Sequence, residues 1–143
     1  PVIAGVGLEF AIAEVENKKA LDIAKCDLSG FEKANKIYNF KDDFFSLMLF
    51  SKGKKNNLFA RVFAPLSGII EDAATGSACG ALGGLMASLD SMENGKFNYT
   101  IHQGEALGRP SIIKISVTKT KGISSRPLIS GDSVLVSEGI FYI

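Results

Sequence analysis

Apolar positions along this chain follow two rhythms, one of strand type and one of helix type. Phe10-Ala11-Ile12-Ala13-Glu14-Val15 reads as a strand, entered from Gly5-Val6-Gly7. Asn17 to Ala24 and Ser29 to Ala34 read as two short helices, with Ala20, Ile23, Ala24 and Phe31 facing inward and Asp27 and Ser29 as caps. Phe44 to Phe50 and Leu58 to Phe63 flank the run Lys52-Gly53-Lys54-Lys55-Asn56-Asn57. That arrangement predicts an antiparallel hairpin with a solvated lysine loop, its second strand ended by Pro65. Ser77 to Leu89 is the strongest helix, with Ala78, Leu82, Leu85, Met86 and Leu89 at helical spacing and no charge before Asp90. It is therefore expected to be buried on all sides. Its interior glycines, Gly80, Gly83 and Gly84, each cost about 1 kcal/mol of helix propensity, which close-packed neighbours must offset. Strands are expected at Tyr99 to Gln103, Ser111 to Thr118 and Ser133 to Val136, with Phe141-Tyr142-Ile143 closing the chain. Gly108-Arg109-Pro110 and Ile129-Ser130-Gly131-Asp132 read as turns. Many strands and one apolar helix predict an α+β fold, a sheet curled into a barrel around a central buried helix.

With 143 residues, the chain is sized for one domain with a real core. Sixteen basic residues against fifteen acidic ones leave a net charge of +1, which offers no electrostatic case for nucleic acid, a membrane surface or a polyanion. No apolar run reaches the ~20 residues that span a bilayer. Two cysteines, Cys26 and Cys79, fit a reducing compartment better than a disulfide scaffold, so a cytoplasmic location is expected. With one histidine, His102, and two distant cysteines, no metal-ligand spacing exists, and no metal is expected. Gly5-x-Gly7 lacks the third glycine of a dinucleotide fingerprint. Gly76-Ser77-Ala78-Cys79-Gly80 does not fit a nucleophile elbow. His102 reads as a structural imidazole ahead of a pocket-rim residue, and Arg61 as a brace for the turn carrying Asp72 ahead of a group that orients a substrate carboxylate.

The chemistry concentrates in Glu71-Asp72-Ala73-Ala74-Thr75-Gly76-Ser77. Two carboxylates and two hydroxyls sit on a turn that runs directly into the best helix. A helix start presents unpaired N–H groups and the positive end of the peptide dipoles, so it can cradle an anion. Asp72 stands beside that cradle, where a carboxylate can exchange a proton with whatever is held. On spacing alone, an acidic pair that merely balances the helix dipole is an equal alternative. Thr75-Gly76-Ser77 tips the balance to function, because glycine permits close approach and Ser77 adds a hydroxyl donor.

Arg61-Val62-Phe63-Ala64-Pro65 followed by Gly68-Ile69-Ile70-Glu71-Asp72-Ala73-Ala74-Thr75-Gly76-Ser77-Ala78 resembles the signature of the PhzF-like phenazine-biosynthesis family. Gln103-Gly104 and Gly108-Arg109-Pro110-Ser111 resemble a second element of that family, and Ile129 to Val136 its last glycine-turn strand pair. The resemblance implies that residues 1–143 form a single lobe, the C-terminal half of a two-lobe, diaminopimelate epimerase-like fold. It further implies an isomerase that moves a proton on a small carboxylate-bearing metabolite without cofactor or metal. Asp72 is then the catalytic carboxylate, and Thr75, Gly76 and Ser77 bind the substrate. An N-terminal lobe, in the same or a separate chain, is expected to supply the main acid/base glutamate, and dimerisation to a homodimer is common in this fold. Ala73 replaces the family's usual proline. Two other readings stay open: a catalytically inactive fragment or small-acid-binding domain, and an amino-acid racemase or epimerase. The absence of a cysteine at position 72 speaks against two-thiol chemistry.

Overall fold

A computed structural model describes residues 1–38, 40 and 44–142. The architecture is α+β, with nine strands in one curled, mixed sheet. The strands are β1 (Val2–Gly5), β2 (Glu9–Glu14), β3 (Leu47–Lys52), β4 (Asn57–Ala64), β5 (Ile69–Asp72), β6 (Gly95–Gln103), β7 (Ser111–Thr120), β8 (Ile123–Ser124) and β9 (Leu128–Gly131). Their helical partners are α1 (Lys18–Asp22), α2 (Leu28–Ile37) and α3 (Gly76–Leu89). The strand path runs β1-β2-β3-β4-β6-β7-β8, with β5 added beside β4 and β9 beside β7. Among the described residues, only the β2–β3 and β4–β6 pairings are parallel. Each is a place where the chain leaves the sheet and returns through helical segments.

Strand parity sorts the side chains onto two faces. Phe10, Ile12, Met48, Phe50, Leu58, Ala60 and Val62 join Ala78, Cys79, Ala81 and Leu82 of α3 in one buried cluster. The alternate positions Ala11 and Phe63 join Phe31 of α2 and the loop residues Phe40 and Phe45 in a second. The predicted lysine hairpin forms as β3 and β4, turning at Lys55 and Asn56. Both of those residues have positive φ, the geometry of the two-residue turn that matches strand twist. The two short helices also form, capped by the side chains of Asn17 and Asp27.

Several expectations are corrected. In α1 it is Leu21 that is buried, while Ile23 is exposed at the helix end. β1, β5 and β8 were not expected, because Val2-Ile3-Ala4 and Ile123-Ser124 are too short to show a rhythm and Glu71-Asp72, read as part of a turn, instead end a strand. The turn expected at Ile129–Gly131 is instead part of β9, drawn into the ladder by β7. Residues 133–136 form no strand: among the described residues nothing pairs with them, and Val134, Leu135 and Val136 are exposed. Phe141 and Tyr142 are likewise exposed coil, and Ile143 lies outside the described residues. Nor is α3 buried on all sides. Its first half is enclosed, Leu85 and Met86 are partly covered, and Leu89 is 74% exposed. The sheet forms a half-barrel.

The ends of α3 are treated differently. Lys119, only 5% exposed, reaches across from β7 and donates to the carbonyls of Ala87, Ser88 and Asp90. A buried ammonium there satisfies orphan acceptors and complements the negative end of the helix dipole. Along the helix, the glycines explain themselves by contact. A Cβ on Gly83 would collide with the Ile115 side chain, whereas one on Gly84 would meet only Pro127 Cγ at 3.4 Å. Gly83→Ala is therefore expected to destabilise the fold by about 1–3 kcal/mol. Gly84→Ala should be neutral or stabilising by up to about 1 kcal/mol. Denaturant titration of the two variants checks the contrast.

Candidate active site

β5 ends at Asp72 and α3 begins at Gly76, so the three-residue turn between them is the mouth of the helix. Its approach is set by Arg61 on β4. The Arg61 Nε and Nη2 donate to the two carboxylate oxygens of Glu71 at 2.9 and 2.8 Å. Its Nη1 donates to the carbonyls of Leu21, Asp22 and Ala24 at the end of α1. The two side chains are 11% and 8% exposed. The guanidinium is thus committed inside the fold as a brace, and Glu71 is committed with it. Asp72, which follows Glu71 on β5, falls on the other parity and turns towards the cavity.

That cavity, about 390 Å³, is lined by Asp72, Thr75, Gly76 and Ser77 together with Glu9, Ser46 and apolar residues from Leu8 to Ile69. All four residues singled out in the sequence therefore meet in one place. Among the described residues, no acceptor meets the backbone N–H groups of Gly76 and Ser77. They remain available to an anion. Thr75 behaves differently from the expectation of a substrate donor. Its N–H donates to Gln103 Oε1 at 3.1 Å, and its hydroxyl contacts Asp72 Oδ2 at 2.7 Å. Thr75 does not cap the helix with its side chain either. Its polar groups are occupied within the turn, so the free donors are those of residues 76 and 77.

Two contributors were missed in the sequence. Gln103 is 1% exposed, and its side chain sits under the turn. The Gln103-Gly104 pair carried no chemistry signal of its own, because a glutamine at a strand end is unremarkable until its partners are known. Gly104, at φ 80°, lets the following turn pack on Ala73, since a Cβ there would collide with the carbonyls of Ala73 and Arg109. Glu9 adds a second carboxylate to the cavity wall. That β2 and the β5–α3 turn share one cavity wall is a long-range arrangement, which no local pattern reveals.

Other residues fall elsewhere. His102 points to the opposite face from Gln103, contacts Asn57 Oδ1 at 3.0 Å and stacks on Phe59. It has the structural role expected. A second depression of about 540 Å³ lies beyond Gly76, lined by Ser111, Ser130 and Asp132 among others. Cys79 is fully buried in α3, with Sγ 3.4 Å from Gln103 Oε1. Burial, reinforced by the nearby Asp72 carboxylate, pushes its thiol up to about 12. Such a thiol is inert near neutrality. Among the described residues there is no group of three or more His, Cys, Asp or Glu able to hold a metal ion, and no helix long and apolar enough to cross a membrane.

Unpaired amides at a helix mouth and a carboxylate thus line one small cavity, a combination able to hold a small anion beside an acid/base group. The family described as phenazine biosynthesis-like protein, PhzC-PhzF, matches residues 1–139, and the chain belongs to it. An uncharacterized isomerase of Clostridium acetobutylicum is 29% identical over 94% of this chain and 45% of its own length. The trans-2,3-dihydro-3-hydroxyanthranilate isomerase of Pseudomonas chlororaphis is 36% identical over 56% of this chain and 28% of its own length. The crystal structure of the Bacillus anthracis phenazine biosynthesis protein of the PhzF family superposes with a TM-score of 0.65 at 19% identity, covering 92% of this chain and 47% of that one. The shared fold is therefore the PhzF fold, and the chain spans about half the length of the Clostridium relative.

Two outcomes test the site's construction. Arg61→Met leaves Glu71 buried without its partner and is expected to cost about 3–5 kcal/mol in a denaturant titration. In thiol labelling at pH 8, the part-exposed Cys26 should react in the folded protein and Cys79 only after unfolding. The raised Cys79 value also adds stability that is fully present below its ordinary 9.0 and is lost as pH climbs towards about 12.

Proposed function

We propose that this chain forms one half of a cofactor-independent isomerase that shifts a proton on a small carboxylate-bearing carbon acid. The observation that carries this reading is the shared cavity of Asp72 and the unpaired Gly76 and Ser77 amides. The substrate carboxylate sits on those amides, at the positive end of α3, where charge developing during proton removal is stabilised. Asp72 faces the reacting carbon and takes or returns the proton.

A second lobe closes the site and supplies the other acid/base group, as the sequence resemblance implies. The lengths of the relatives support a partner lobe, since the Clostridium relative and the Bacillus structure are each roughly twice as long as the stretch matched. So do the exposed apolar side chains of Leu8 and Ile69, which line the cavity. The relatives' names support isomerase chemistry, and the acid in the Pseudomonas enzyme's name carries a carboxylate. The inert Cys79 thiol favours carboxylate over thiol chemistry and so disfavours the two-thiol racemase reading. Homodimerisation and a cytoplasmic setting belong to the same proposal.

The test uses the natural protein that carries these residues, incubated in D2O with trans-2,3-dihydro-3-hydroxyanthranilate and a panel of small unsaturated acids. NMR follows carbon-bound deuterium and double-bond position. Asp72→Asn is expected to lower the exchange rate by roughly 10²–10⁴-fold while acid binding persists. Wild-type rates in that variant would remove Asp72 from the mechanism. Binding without exchange in the wild type would leave a small-acid-binding domain.

A further inference from the structure

The Thr75 N–H can only donate, so the Gln103 side-chain atom 3.1 Å from it is the acceptor Oε1. This fixes the orientation of the whole carboxamide. Nε2 then faces the Asp72 carbonyl at 2.8 Å and Thr75 Oγ1 at 3.0 Å and donates a hydrogen to each. The second lone pair of Oε1 faces the Cys79 thiol. All four hydrogen-bonding positions of a 1% exposed side chain are therefore occupied.

The consequence propagates one residue further. Since Thr75 Oγ1 accepts from Gln103, its single hydrogen is free to point elsewhere, and Asp72 Oδ2 lies 2.7 Å away as the acceptor. Asp72 Oδ1 has only a long 3.5 Å approach from the Ala74 N–H. The two carboxylate oxygens are thus made unequal, one held by a short hydrogen bond from within the protein and one open.

We infer that Gln103 is a positioning residue: it orients the Thr75 hydroxyl onto Asp72 Oδ2 and so reserves Oδ1 as the oxygen that exchanges protons with the substrate. This rests on the proposed role of Asp72 and adds to it a direction. Gln103 touches no substrate and acts through Thr75.

Two readouts test the chain of donors in the natural protein. The first needs no substrate. In mixed H2O and D2O, the Thr75 Cβ carbon signal splits by isotope when its hydroxyl proton exchanges slowly. Slow exchange is expected in the wild type and fast exchange in Gln103→Leu, which leaves Thr75 Oγ1 without its donor. Equal exchange in wild type and variant would overturn the inference.

The second readout is kinetic, on a carbon acid the wild type turns over. Gln103→Leu and Thr75→Val should each lower kcat roughly 10–100-fold with KM nearly unchanged. The double variant should be little worse than either single one, because both break the same link. Thr75→Ser, which keeps the hydroxyl, should restore most of the rate lost in Thr75→Val. A merely structural Gln103 would move melting temperature, or kcat and KM together, and leave Thr75→Val active. If Asp72→Asn abolishes turnover while Thr75→Val is silent, this inference fails and the Asp72 reading stands. If Asp72→Asn is itself silent, the underlying reading fails.

Discussion

The position of β5 is the constraint on which the site depends, and Arg61 imposes it. A planar guanidinium with five donors in a fixed fork is the one side chain able to grip a carboxylate with two hydrogen bonds and still reach backbone carbonyls with a third nitrogen. Here it joins Glu71 on β5 to the end of α1. Buried charge is tolerated because each of the three guanidinium nitrogens has an acceptor. With Glu71 held to one side, strand parity leaves Asp72 no direction but the other, towards the mouth of α3.

Electrostatics at α3 follow from an asymmetry between its two ends. Lys119 satisfies the C-terminal carbonyls from inside the core, whereas the amides of Gly76 and Ser77 meet no acceptor among the described residues. A helix with one end neutralised and the other open keeps its positive pole aimed at the cavity. Gln103 supports this from below. It occupies the Thr75 N–H, so the turn cannot relax by drawing that amide into the anion site, and it leaves the next two amides unclaimed.

The half-barrel and the half-length match belong together. The cavity is open, its mouth is rimmed by apolar side chains, and the relatives extend well beyond the matched stretch. The proton transfer proposed for this site needs water excluded from the reacting carbon, which an open cavity alone does not supply and the proposed second lobe would.

Much of the site was legible from residues alone. A carboxylate, a glycine and hydroxyls at the entry to an apolar helix announce a helix mouth with acid beside it, because the unpaired amides of a first turn are a property of any helix. The lysine hairpin was legible for the same reason: apolar runs on either side of a polar turn have one economical arrangement. The chain's local chemistry could not show that Thr75 is consumed by its neighbours, that Gln103 lies beneath it, or that Glu9 shares the wall. Those depend on β6 and β2 arriving beside the β5 end, contacts between residues far apart in sequence. The apolar run at 133–136 shows the converse, since a strand requires a hydrogen-bonded neighbour that its own sequence does not provide. Sequence determined which groups stand at the helix mouth; tertiary structure decided which of their donors and lone pairs remain open, because only packing fixes who bonds to whom.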